Sequence, residues 1–318
     1  MESFVFQNAV KLRFGPGEIE RVGEEASLIG HRALLVTGKG HAKKSGLLDR
    51  VTGLLESAGV TVTHLGGVDP NPRLASVKKG IELCNEHDVQ LVIGLGGGSV
   101  MDCSKVIAAA VLYPGDPWDI IHHGQEPYFP PTESLPTMTV PTLAATGSDM
   151  NANAVITNAE TKEKSFVGGE PCMYPRTCVA DPELTLSVPA WPTACGAADI
   201  IAHVLESYFS GADDTPVQDR IQEGIVLTVM ELAPRLIAEP DDLAGRTNLQ
   251  WASIVALNGW AQAGSGGAFA MHHIEHAVSA RTDLAHGAGL AILMPAWMKI
   301  ACEHRLDKYV QVAERVFG

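Results

Sequence analysis

Asp199 and His203 stand four residues apart in ACGAADIIAHVLESYF, a stretch whose apolar spacing predicts a helix. The i, i+4 spacing puts a carboxylate and an imidazole on one helix face, within reach of one ion. A second segment, AMHHIEHAVSARTDLAHGAG, carries His272, His273, His276 and His286. Composition does not choose among the first three, but helical spacing puts His272 and His276 on one face and turns His273 away. A lone histidine is more often a satisfied core residue than a ligand. The Asp-His pair together with the His-rich segment favours a metal site of Asp199 and His203 with histidines of the second segment. One Asp and three His, with no thiolate, suit Fe²⁺, Zn²⁺, Co²⁺ or Ni²⁺. Such a set leaves room for a substrate oxygen, which is what a Lewis-acid catalyst needs.

A different chemistry is written in LVIGLGGGSVMDCSK, which reads as strand, glycine turn and helix. Gly96, Gly97 and Gly98 remove the Cβ atoms that would block a phosphate. Ser99 reads as the N-cap, and Ser99-x-x-Asp102 as a capping box. The helix N-terminus then offers N–H groups and a positive dipole end to an anion. The turn is neither a strict G-x-G-x-x-G nor a P-loop, and a turn of this kind is as often purely structural. It follows the third βα strand rather than the first, unlike an ordinary Rossmann fingerprint. Thr37-Gly38-Lys39-Gly40 and the stretch from Val140 to Ser148 also follow strands, and ligands of parallel sheets sit at such carboxyl ends. No G-x-S-x-G hydrolase elbow occurs. The separation of glycine loop and metal segment predicts a ligand in a cleft between two domains.

Two kinds of element must position these residues. In the first half, residues 33–37, 61–65, 91–95 and 136–140 read as strands. Residues 46–58, 74–86 and 99–112 read as helices between them. That alternation predicts βαβ units and a parallel sheet, with residues 4–6 and 11–14 as a small hairpin ahead of it. After a Pro-rich connector, DPELTLSVPAWP, residues 193–210, 217–238, 244–263, 268–280 and 287–302 show helical periodicity and few strand signals. The expected fold is an α/β nucleotide-binding domain with a parallel sheet (residues 1–185), then an all-α metal-binding domain (residues 186–318).

Composition narrows the function classes. The chain has 318 residues, 46% of them apolar, and a net charge of −14. Without a Lys/Arg cluster, nucleic-acid binding is not expected. There is no signal-peptide pattern at the N-terminus and no apolar run of membrane-spanning length. Six scattered cysteines without a CxxC fit reduced thiols and a cytoplasmic location.

Taken together, FGPG, GKGHAKKSGLLDRV, DPNPR, GGGSVMDCSK, PTLAATGSDMNANAVIT, DPELTLSVP, ACGAADIIAHVLESY and HHIEHAVSARTDLAHGAGLAILMP resemble the iron-containing (group III) alcohol dehydrogenase family. The likeness covers essentially the whole chain and points to the NADPH-dependent aldehyde reductase and butanol dehydrogenase branch. It implies the dehydroquinate synthase-like architecture of an α/β domain followed by helices. By resemblance, the metal ligands fall on Asp199, His203, His272 and His286, and a histidine near the nicotinamide falls on His276. The pyrophosphate loop falls on Gly96, Gly97, Gly98 and Ser99. Asp102, Thr139, Thr142, Asn151 and Lys164 match positions lining the cofactor cleft. The chain stops at AERVFG, inside a helix-like stretch, where family members continue with further helices, so the expectation is either a sequence that stops short of the C-terminus or a shortened helical domain with a more open cleft.

The implied activity is hydride transfer between a nicotinamide and the carbonyl carbon of a small aliphatic aldehyde, with Fe²⁺ or Zn²⁺ polarising the oxygen and His276 relaying the proton. A homodimer is expected. A lyase of the dehydroquinate synthase type is the first alternative, but it requires a Lys/Arg cluster that the helical half lacks. A non-catalytic nucleotide-binding remnant is the second. NADP(H) is expected over NAD(H), because Gly38, Lys39 and Gly40 supply no carboxylate for a ribose hydroxyl and Lys39 can pair with a 2′-phosphate. Residues 248–271 hold no Arg or Lys, so the substrate pocket is expected to recognise size rather than charge.

Overall fold

The computed structural model describes residues 1–122, 128–169 and 171–318. The chain divides into two units, one of residues 9–143 and 148–185, the other of residues 1–8, 144–147 and 186–318.

The first unit contains β1 (Lys11–Phe14), α1 (Val22–Ser27), β2 (Arg32–Gly38), α2 (His41–Lys44), α3 (Leu47–Ser57), β3 (Thr61–Val68), α4 (Leu74–Glu86), β4 (Leu91–Gly96) and α5 (Gly98–Ala110). It continues with β5 (Thr137–Pro141), β6 (Asn153–Asn158), β7 (Glu163–Gly168) and β8 (Thr177–Ala180). Six strands form one parallel sheet in the order β1-β8-β5-β4-β2-β3. Successive side chains point to opposite faces, and both faces are covered. Leu34, Val36 and Val92 pack with Val77, Val106 and Ile107 on one side, while Leu35, Leu91 and Ile93 pack with Val51 and Leu55 on the other. That is why these strands read as continuous apolar runs rather than as alternation.

The expected hairpin is not formed. Residues 4–6 hold no strand, and β1 instead lies parallel to β8 at the sheet edge. Its polar side chains are drawn to α1, where Lys11 Nζ at 2.7 Å and Arg13 Nε at 2.8 Å both reach the buried Glu25 carboxylate. The antiparallel β6–β7 pair, which the sequence reading passed over, is the real hairpin.

The second unit is helical: α6 (Ala190–Ser210), α7 (Pro216–Ala238), α8 (Leu243–Leu257), α9 (Ala270–Thr282), α10 (His286–Ala301) and α11 (Leu306–Val312). Ile200, Val204, Val226, Val229, Leu236 and Leu249 form its core. The helix read through residue 263 stops at Leu257. Asn258 Oδ1 accepts from Trp260 N–H at 3.0 Å, and Gly259 takes a φ of +90° that L side chains disfavour. Among the described residues, no helix is long and apolar enough to cross a membrane.

Candidate metal centre and nucleotide loop

Three helices of the second unit converge their polar faces on one point. Asp199 and His203 come from α6, His272 from α9, and His286 from the first position of α10. Asp199 Oδ1 lies 3.6 Å from His203 Nδ1, 3.7 Å from His272 Nε2 and 3.8 Å from His286 Nε2. The His203 and His272 rings stack with centroids 4.6 Å apart. These separations are too long for hydrogen bonds. They are close to the edge, roughly 3.4 Å, of a tetrahedron with bonds of about 2.1 Å.

Asp199 Oδ1, His203 Nδ1 and His272 Nε2 are buried and have no hydrogen-bond partner. Buried polar atoms are rarely left so. The donor atoms of Asp199, His272 and His286 all lie within 4.8 Å of one another, close enough to share one divalent cation, while His203, its ring stacked on His272, meets the group through Asp199. The electrostatics agree. Burial would raise the Asp199 carboxyl, but His203, His272 and His286 hold it well below the usual carboxylate range. Burial pushes His203 down to about 3 despite the nearby Asp199. At His272 burial acts in the same sense, but Asp199 and Glu206 outweigh it and raise the imidazole to about 9.

Burial separates His272, His273 and His276 as helical spacing predicts, without choosing between His272 and His276. His272 and His276 are buried, and His273 is exposed. The His276 ring lies 5.5 Å from that of His286. Two residues went unread: Glu206, bonded through Oε2 to His272 Nδ1, and Glu275, bonded through Oε2 to His286 Nδ1. Both lie at helical spacing from a candidate ligand, Glu206 three residues after His203 and Glu275 three after His272, so the pattern could have exposed them.

Gly287 sets where α10 begins. A Cβ there would come within 2.0 Å of the Cys195 carbonyl oxygen on α6, which is backbone and cannot give way. Gly287→Ala is therefore expected to push α10 off α6 and displace His286. Metal affinity, measured by chelator competition, should fall at least about tenfold, in line with the sensitivity of such sites to ligand orientation. Unchanged affinity would show that α10 tolerates the shift.

In the α/β unit, the chain runs from β2 outward to β3, then returns to β4 on the other side of β2. The carboxyl ends of β2 and β4 therefore flank a topological switch point, where open parallel sheets bind ligands. Gly38, Lys39 and Gly40 stand on one side, and Gly96, Gly97, Gly98 and Ser99 on the other. Thr142 joins them, its N–H donating to Gly96 O at 3.0 Å. A Cβ on Gly96 would meet Val100 Cγ2 at 2.6 Å, so this glycine also lets β4 and α5 close. The first amides of α5 have no intrahelical acceptor and suit a pyrophosphate.

The capping box is corrected. The N-cap is Gly97, and Ser99 is the second residue of α5, donating through Oγ to Pro70 O. Already inside the first turn, Ser99 has no extended backbone from which to cap it. Asp102 faces β6 instead, accepting from Ser148 Oγ at 2.5 Å and Val155 N–H at 3.0 Å. Thr139 Oγ1 donates to Asp149 O at 2.9 Å, and Lys164 Nζ to Asn71 Oδ1 at 3.0 Å. Asn151 Oδ1 accepts from the buried Lys105 at 3.1 Å. Lys39, read as having no carboxylate nearby, pairs with Asp69 just past the end of β3. This carboxylate follows the neighbouring strand, and sequence distance concealed it.

Residues 9–182 match the iron-containing alcohol dehydrogenase family, and residues 193–318 match the C-terminal part of the Fe-containing alcohol dehydrogenase family. The chain is 44% identical over 319 residues to NADH-dependent butanol dehydrogenase A of Clostridium acetobutylicum, covering 100% of this chain and 81% of that protein. It is 36% identical to the NADPH-dependent aldehyde reductase YqhD of Escherichia coli, covering 100% and 81%. The crystal structure of NADH-dependent butanol dehydrogenase A from Thermotoga maritima superposes with a TM-score of 0.96 at 42% identity, covering 100% of this chain and 79% of that one. This chain belongs to the iron-containing alcohol dehydrogenase family and is an NAD(P)-dependent oxidoreductase.

Proposed function

We propose that this protein interconverts unbranched aliphatic aldehydes and alcohols, with a divalent metal held by Asp199, His203, His272 and His286. The observation that carries this reading is the set of three buried, partnerless donor atoms on Asp199, His203 and His272. When bound, the metal supplies Lewis acidity towards a carbonyl, and the nicotinamide supplies the hydride. The chain's own part is to hold and to protonate. The α5 N-terminus and Gly96–Gly98 bind the pyrophosphate. Asp102, Thr139, Thr142, Asn151 and Lys164 shape the cofactor cleft. His276, one turn beyond His272, passes the proton to the product oxygen directly or through water.

With no Arg or Lys in residues 248–271, the pocket has nothing there to clamp a carboxylate or phosphate. Selectivity then follows size, at about 1–3 kcal/mol per methylene. Oxidation of the reduced nicotinamide should vary smoothly across a series of straight-chain aldehydes and be abolished by a chelator. A strict requirement for a phosphorylated or carboxylated substrate, with simple aldehydes inert, would favour lyase-like chemistry instead.

Residues 37–40 taken alone lead to NADP(H). The Lys39–Asp69 pair supports NAD(H), because Asp69 occupies the charge that a 2′-phosphate would need and adds repulsion of its own. The Clostridium and Thermotoga relatives, NADH-dependent by name, point the same way. NADP(H) is the second reading, resting on Lys39 itself. Asp69→Asn should shift the ratio of Kd values for NADH and NADPH towards NADPH by about fivefold, the equivalent of about 1 kcal/mol. Protein fluorescence reports both constants. A ratio indifferent to this change would remove Asp69 from cofactor selection.

A further inference from the structure

Two fully buried carboxylates stand behind the ligand imidazoles and belong neither to the ligand set nor to the cofactor loop. Glu206 on α6 reaches across to α9. Its Oε2 meets His272 Nδ1, and its Oε1 accepts from Met271 N–H at 2.5 Å. Glu275 on α9 reaches across to α10, where its Oε2 meets His286 Nδ1. Gly289 makes room for it, since a Cβ there would lie 2.7 Å from Glu275 Oε1. The three helices are thus laced in sequence, each carboxylate holding an imidazole of the next.

We propose that Glu206 and Glu275 are positioning residues that preset Nε2 as the ligating atom of His272 and of His286. The proposal rests on the metal site put forward above. An ionised carboxylate only accepts hydrogen bonds, so each bonded Nδ1 must carry the proton. The lone pair is then left on Nε2, the atom that faces Asp199 Oδ1 in both rings. The ring is also fixed in orientation before any ion arrives, which lowers the cost of binding.

Glutamine tests this, because it keeps the shape and changes the donor pattern. Glu206 serves two donors, His272 Nδ1–H and Met271 N–H, with two acceptor oxygens. A glutamine has one acceptor oxygen and an NH₂ group. Either the NH₂ faces Met271 N–H, or it donates to His272 Nδ1 and forces the proton onto Nε2. Glu206→Gln and Glu275→Gln should each weaken Zn²⁺ binding by about 10- to 100-fold.

Affinity is read by chelator competition on the full chain, with circular dichroism and thermal unfolding of the metal-free variants as controls of fold. Recorded on the metal-free protein above pH 9, where the His272 ring is neutral, long-range ¹⁵N–¹H spectra should show the Nδ1–H form at His272 and His286 in the unmodified protein, and its loss at His272 in Glu206→Gln. Native-like variants with unchanged Zn²⁺ affinity and unchanged tautomers would overturn the proposal alone. An unmodified protein that binds no divalent ion would overturn the metal-site reading and this proposal with it.

Discussion

His272→Ala is expected to leave the protein unable to retain a divalent metal through dialysis and to cost roughly three orders of magnitude in kcat. The second figure corresponds to losing about 4 kcal/mol of carbonyl polarisation. His272 is buried, and its Nε2 has no hydrogen bond but lies 3.7 Å from Asp199 Oδ1. Far-ultraviolet circular dichroism should be unchanged, because α9 keeps its contact to Glu206 through Met271 N–H. His273→Ala serves as the neighbouring control. That side chain is exposed on the opposite side of the helix, so metal content and turnover should stay within twofold, or about 0.4 kcal/mol. Metal analysis and a steady-state assay of both variants suffice. If the His273 variant loses metal and the His272 variant keeps it, the helix register is wrong.

Lys105→Met should destabilise the α/β unit by about 3–5 kcal/mol, a large share of the 5–15 kcal/mol that holds a typical protein folded. Lys105 is fully buried. Its Nζ donates to Ser148 O at 2.9 Å, Asn151 O at 3.2 Å, Asn151 Oδ1 at 3.1 Å and Asn153 O, with Asp102 4.0 Å away. Methionine fills the volume but donates nothing, leaving those oxygens and the Asp102 charge without their partner. Urea unfolding measures the loss, and weaker nucleotide binding should accompany it, because Asn151 hangs on the same ammonium. A loss under about 1 kcal/mol would show that water replaces the lysine.

The same variant carries a pH signature. Burial lowers the ammonium from its ordinary 10.5 to about 8, against the pull of Asp102 and Asp149. Between those values the unfolded chain binds more protons at this position than the folded one does. Stability from Lys105 therefore rises as pH climbs from about 8 to 10.5. The gap between unmodified protein and variant should widen over that window.

Much of the fold could be read before any coordinates. Residues 74–86 form α4 as the amphipathic spacing requires, and residues 91–95 form the body of β4, because a buried parallel strand is apolar along its whole length. The misreadings share one cause, which is that a local pattern does not reveal its partner. Residues 11–14 suggest a strand equally well in a hairpin or beside β8, and the choice falls to Glu25 on α1. Ser99 carries a cap's chemistry, but the helix starts one residue earlier, where Gly97 closes the turn.

At the candidate metal site, the i, i+4 spacing of Asp199 and His203 was enough to put both on one side, since one helix fixes that face. Only tertiary structure could bring α9 and α10 to it and bury His272 while leaving His273 outside. It alone placed Glu206 behind His272 and Glu275 behind His286, because those contacts cross between helices, from α6 to α9 and from α9 to α10. It likewise supplied Asp69 to Lys39 from the next strand, a proximity that parallel pairing creates between residues distant in the chain.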